Sequence, residues 1–397
     1  MHTFANGYSS GDGAFRIKIS LHKVEKYVFF KATVHLSPAY ANESQSEAHQ
    51  YLNRLLNDGA KKEVDVDVDS YEIKLPSFYD KVKFERARKF YFDNIYGFFI
   101  SNLTGLICIL AIQTILNVLI CTKQSSTPKT AYRRYLATIL HNVNFYSANP
   151  DVNSKCYRSI VAVRKKHIRA SKYAQKHGMG MVTQKDMALT QFGFLGFVLV
   201  QPKMMGIRED GENFEALVHF WRVIGYMLGI ENEYNVCTDS LSTTLPRLRL
   251  IVADVIAPCL KNHPQKFHEM VQPMISGLWC FNPFLTTPAF TYLTYRAAGV
   301  PGYYYGKEEQ SLEIQRYKNS PENCLEYPEN DGYSPTYKKM SWWSRFVVGF
   351  VIYILETLVY GSIIFRWIFN NNINTSLFII KWFPFLAIPR FGFQASY

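Results

Sequence analysis

Between residues 76 and 300 the apolar positions recur every three to four residues, which predicts a succession of helices rather than strands. Pro76 and Asp80 open the first of them. After a charge-free run come KTAYRRYLATILHNVNFY, IVAVRKKHIRASKYA, VTQKDMALTQFGFLGFVLV, GENFEALVHFWRVIGYMLGI and LRLIVADVIAPCL. NPFLTTPAFTYLTYRAAGVP adds one more helix, ended by Gly299 and Pro301. The charge-free run, Asn94 to Thr122, is long enough to cross a bilayer. Its Asn102, Thr104, Gln113 and Asn117 suit the inside of a packed bundle better than lipid, so a buried helix or helix pair is expected.

The flanks follow other patterns. Residues 1–75 are polar and mixed; AFRIKISLHKVEKYVFF and VDVDVDSYEIKL alternate in part, as short strands or an extended arm do. Residues 301–342, rich in Tyr, Glu and Pro, read as a linker. Phe346 to Phe365 is apolar except for Glu356 and is flanked by Lys338, Lys339, Arg345 and Arg366. SLFIIKWFPFLAIP follows, with Trp342, Trp343, Trp367 and Trp382 at the edges, where interfacial aromatics belong. Residues 343–397 are therefore expected to associate with a membrane. The fold class expected is all-α: a polar N-terminal extension (1–75), a helical domain (76–300), a linker (301–342) and an apolar C-terminal helical region.

Composition adds two constraints. A chain of 397 residues with 48% hydrophobic and 16% aromatic content can bury a large core in one or two domains. A net charge of +12 favours anionic partners. Nucleic acid is disfavoured, because the aromatics fall inside apolar runs instead of alternating with basic residues along a surface. Seven scattered cysteines without a C-x-x-C pair suggest free thiols in a reducing compartment, and the N-terminus lacks the apolar core of a signal peptide. Gly7 to Gly11 spells a nucleophile elbow without the strand and helix that such a turn needs.

The candidate chemistry lies in two pairs. Arg164 and His167 are three apart, so on a helix they share a face; His219 and Arg222 repeat the spacing in reverse order, beside Trp221. Two helices that each present an imidazole and a guanidinium suit an anionic, metal-containing cofactor such as haem, whose iron takes nitrogen and whose propionates take arginine. The same letters also fit a hydrogen-bonded core histidine and an arginine held by a carboxylate. His141 is a third imidazole, on an otherwise apolar helix. HEMVQ lacks the second histidine of a zinc protease helix, and there is neither a phosphate-binding Gly-rich loop nor a C-x-x-C-H haem attachment.

In their order, LPSFYDKVKFERARKFYFDN, TAYRRYLATILHNVNFYSANP, SIVAVRKKHIRA (V-R-x-x-H), VTQKDMALTQFGFLGF (Q-x-D-M) and HFWRVIGYMLGIEN (W-R-x-x-G-x-x-L-G-I) resemble the ER-bound oxygenase (mpaB) and rubber oxygenase (latex-clearing protein) catalytic domain family. The resemblance covers residues 75 to 300. It implies a globin-like helical core of about eight to ten helices and a haem b used with dioxygen to cleave a double bond in a long isoprenoid. It places Arg164 at the cofactor pocket and His167 on the iron, with His219 and Arg222 lining the pocket. Two departures stand out: the opposite axial histidine of the rubber-cleaving branch is replaced by Gln191 or Phe192, and near Ala148 and Asn149, where that branch has a general-base carboxylate, only Asp151 is acidic. Three outcomes stay open: His167 as sole protein ligand, His219 as substitute, or no haem at all. The expected function is a membrane-associated oxygenase at the endoplasmic reticulum, its catalytic domain on the cytosolic side, acting on a hydrophobic isoprenoid or lipid. The alternative is a non-catalytic relative that has lost the cofactor.

Overall fold

The computed structural model describes residues 17–24, 27–34, 38–64, 73–278, 286–311, 334–383, 385 and 389. The Gly7–Gly11 motif, most of VDVDVDSYEIKL, Cys280 and Cys324 lie outside them. The chain divides into two compact units, Met1–Glu47 and Ala48–Tyr397. Within the first, β1 (Ile17–Val24) and β2 (Tyr27–Val34) form an antiparallel hairpin with Ile17 opposite Val34 and Val24 opposite Tyr27.

Apart from one bridge between Glu63 and Thr183, the described residues of the second unit are all-α. Its helices are α1 (Pro38–Asn57, from Ala48 onward), α2 (Lys81–Asp93), α3 (Ile95–Leu110), α4 (Gln113–Cys121), α5 (Pro128–Ser147), α6 (Lys155–Lys176), α7 (Gln184–Val200) and α8 (Gly211–Met227). Then come α9 (Leu241–Ile251), running through a π-helical turn at Val252–Ile256 into α10 (Ala257–Lys261), α11 (Phe267–Gly277) and α12 (Thr287–Ala297). The tail forms α13 (Trp342–Tyr353), extended by a π-helical turn at Ile354–Val359, and α14 (Ile363–Trp382).

Polar residues start these helices by satisfying first-turn N–H groups that have no partner inside the helix. Asp80 accepts from Val82 N and Lys83 N, and Ser154 accepts from Tyr157 N. Thr127 with Thr130, and Thr183 with Asp186, close reciprocal capping boxes at α5 and α7.

The body begins earlier than the apolar period suggests. Tyr51, Leu52 and Leu55 of α1 are buried, and Tyr51 OH donates to Tyr234 O at 2.8 Å. The charge-free run is a helix pair, α3 and α4, and α3 is buried along nearly its whole length. At Gly105 it crosses α7 so closely that a Cβ there would stand 1.9 Å from Gly193 O. The five described cysteines, Cys108, Cys121, Cys156, Cys237 and Cys259, are free thiols.

The tail helices are built into the body. Glu356, the single acid in the apolar run, accepts from Arg296 Nη1 of α12 at 2.7 Å, while Arg296 Nε donates to Glu309 at 2.9 Å. Burial opposes the guanidinium charge, and the bonds to Glu309 and Glu356 outweigh that, leaving Arg296 more firmly protonated than a free arginine. Arg208 donates to Tyr360 O and Gly361 O. Asn370 of α14 fills the 92° break between α2 and α3, accepting from Tyr96 N at 3.1 Å and donating to Asp93 O at 2.8 Å.

Candidate functional site

Helices α3 to α8 line a cavity of about 1240 Å³ that is partly open to solvent. Its volume exceeds the roughly 300–1,000 Å³ common for ligand pockets. Leu106, Ile109, Leu110, Val163, Phe145 and Phe194 make apolar wall. The exposed part of its lining carries four cations, Lys123, Arg133, Lys166 and Arg169, beside Gln124 and Tyr173. Asp186 is the one carboxylate in the wall, and it is engaged, accepting from Thr114 Oγ1 at 2.6 Å and from Thr183 N at 3.1 Å.

His167 lines this cavity. Neither ring nitrogen finds a hydrogen-bond partner among the described residues, and Nδ1 is fully buried. Burial, followed by Arg134, Lys166 and His141, pushes the imidazole down to about 4, so it is neutral at physiological pH. Neutral imidazole is the form that binds a metal. Its Nδ1 lacks the hydrogen bond that usually orients a ligating histidine.

The helix α5 adds Arg134, which sequence reading missed, and gives His141, noted there only as a third imidazole, a place in the same wall. Arg134, Thr138 and His141 stand at i, i+4 and i+7 and all line the cavity. Burial lowers the Arg134 guanidinium, which has no ion-pair partner among the described residues. Lys166 Nζ lies 3.2 Å from His141 Nε2; an ammonium can only donate, so the His141 proton sits on Nδ1, which is buried and unpartnered among the described residues. The i, i+4, i+7 spacing was present in TAYRRYLATILHN and marks the missed face.

Of the other expected site residues, only Gln191 lines the cavity. Arg164 Nη1 donates to Met227 O at 3.2 Å, gripping the C-terminus of α8 next to Gly229, whose φ of +98° only glycine adopts readily. Arg164 and His167 thus share a helix, but only His167 lines the cavity. His219 accepts from Asp80 N at 3.0 Å through Nε2, and the Arg222 guanidinium lies 4.1 Å over the Phe78 ring. Neither lines the cavity, so substitution of the axial ligand by His219 finds no geometric support. Gln191 does line it, with its amide fully used: Nε2 donates to Trp221 O at 2.7 Å and Asn235 Oδ1 at 3.0 Å, and Oε1 accepts from Val236 N at 3.2 Å. Phe192 is packed in the core. Asn149 bridges Arg88 and Glu85, and Asp151 is exposed away from the cavity, so neither acts as a base within it.

As a haem site the residue set fits one imidazole and several cations. It does not fit a pair of axial histidines. Among the described residues no three His, Cys, Asp or Glu side chains converge on a bare metal ion.

No protein-family model and no curated protein matches the chain. A solved structure, that of a latex clearing protein in the closed state, is similar at 16% identity and a TM-score of 0.48, covering 87% of this chain and 92% of that one.

Proposed function

We propose that the protein is a membrane-associated, haem-dependent oxygenase of the mpaB and rubber oxygenase type, oxidising a hydrophobic isoprenoid or lipid chain at the cytosolic face of the endoplasmic reticulum. The observation that carries this reading is a neutral, unbonded His167 in the wall of a large, mostly apolar cavity that also holds the desolvated Arg134. Together with the motif order, that combination suits a porphyrin better than a purely apolar guest.

In this reading His167 would hold the iron, and Arg134, with the basic rim, would hold the propionates. When bound, haem supplies the oxygen-activating redox chemistry that side chains lack. The apolar wall excludes water and accepts an extended hydrocarbon. Gln191 keeps α7 and α8 in place through Trp221 and Asn235, and with its amide engaged it would not serve as a ligand to the group. Arg164 and Gln184 act as positioning residues: both grip the end of α8, Gln184 donating to Gly229 O at 3.1 Å.

The test is the visible spectrum of the protein purified in mild detergent after expression with a haem precursor. A Soret band that is lost or shifted in His167→Ala supports the reading. Absence of bound haem overturns it and leaves a second reading, favoured by the engaged Gln191: a non-catalytic relative whose cavity holds a lipid.

A further inference from the structure

Most of the large hydrophobic side chains exposed among the described residues lie between Trp342 and Phe385. On α13 they form one stripe: Trp342, Phe346, Phe350 and Tyr353, spaced by about one helical turn, with ring stacking between Phe346 and Phe350. The opposite side of α13, including Val347, Val348 and Val351, is buried. On α14 the exposed large hydrophobic residues cluster at its two ends, Ile363 to Ile368 and Phe378 to Trp382. Between them runs NNNINTS, residues 370–376, too polar for the middle of a bilayer span.

By length and composition Trp342–Val359 is apolar enough to cross a membrane. Its surroundings argue otherwise. Glu356 is bound to Arg296, Arg208 holds the carbonyls of Tyr360 and Gly361, and Asn370 is seated in the α2–α3 break. A crossing helix would have to withdraw Glu356 from its partner into hydrocarbon, where an unpaired carboxylate is strongly disfavoured. An in-plane helix keeps all three contacts and wets only its inner side with protein.

Charge selects the occupant. From residue 334 onward the sequence contains Lys338, Lys339, Arg345, Arg366, Lys381 and Arg390 against Glu356 alone, which Arg296 already neutralises. A second copy would bring the same cations without acids to meet them. An anionic lipid surface meets them directly.

We infer that α13 and α14 form a monotopic membrane face, lying in the plane of an anionic leaflet with Trp342, Phe346, Trp367 and Trp382 among the lipid headgroups. This rests on the membrane association proposed above and specifies its geometry and lipid charge. The full chain, tagged at both ends, is mixed with vesicles of phosphatidylcholine or of phosphatidylcholine with about one third phosphatidylserine. We expect flotation with the anionic vesicles and both tags open to protease added outside. Lys338→Glu/Lys339→Glu lowers partitioning by at least about tenfold. Trp342→Ser/Phe346→Ser lowers it as well, with the circular dichroism melt unchanged because both side chains are exposed.

Flotation with one tag protected overturns the in-plane arrangement while leaving membrane association standing. Equal flotation on neutral vesicles overturns the lipid charge. No flotation, with a dimer by light scattering, overturns the lipid occupant altogether. The Soret band of the same sample reports on the oxygenase reading independently.

Discussion

Two helices of this protein each carry a histidine and an arginine three residues apart, and the fold uses them in opposite ways. On α8, His219 accepts the Asp80 N–H, which turns the chain into α2, and Arg222 stacks on Phe78. On α6, His167 has no hydrogen-bond partner among the described residues and borders a hollow, while Arg164 reaches past it to close the end of α8. The α8 pair sits where side chains meet every need locally. His167 sits where the fold leaves space and an unmet nitrogen. Spacing along a helix therefore establishes which residues are neighbours, and packing on the far side decides whether they serve structure or a ligand.

The sharpest way to break this contrast is the haem spectrum of the two alanine variants. His167→Ala is expected to remove or shift the Soret band, whereas His219→Ala retains it; equal loss in both would erase the distinction. Next in size is a contrast between filled and hollow regions, read by urea unfolding. Gly105→Ala drives a Cβ to within 1.9 Å of Gly193 O, backbone that cannot rotate aside, and is expected to cost about 2–3 kcal/mol. His219→Ala leaves the Asp80 N–H without its acceptor and is expected to cost about 1–2 kcal/mol, part of it restored by His219→Gln.

Acid separates the pairs more gently. In the unfolded chain His167 takes its proton near its ordinary value of 6.5; in the folded protein it does so near 4. Between these values the unfolded state binds the proton and the native state does not. Stability is therefore level in this respect above pH 6.5 and falls as pH drops toward 4. His167→Asn should flatten that part of the melting-temperature profile. The smallest effect is expected from Ala137→Phe, placed in the cavity wall. It should change stability by less than about 1 kcal/mol while reducing haem uptake, which a spectroscopic titration would show.

Much of the helical body was legible in the sequence because its punctuation is local. Asp80, Thr127 and Thr183 each announce a helix through atoms within a few residues of themselves. The resemblance to oxygenase motifs covered segments of α2, α5, α6, α7 and α8, and the last four of these helices do border the cavity. Their motif letters are spent largely on scaffolding, with Gln184 clamping Gly229 and Glu231, Asp186 capping α7 and Gln191 bracing Trp221. Arg134 and His141 were readable as one helical face, yet hard to value without knowing that α5 and α6 stand apart enough to leave room. The bond between Glu356 and Arg296 joins residues separated by 60 positions, and the crossing of Gly105 with Gly193 depends on two helices meeting; no periodicity encodes either.

The seating of Asn370 between α2 and α3 bears on how the protein can be handled. A chain cut before Ser341 would lose the amide that satisfies Tyr96 N and Asp93 O, and it would strand Arg296 with one of its two acids. Trimming the greasy end to gain solubility would therefore injure the body it was meant to free, and detergent around the intact tail is the gentler route to a folded preparation.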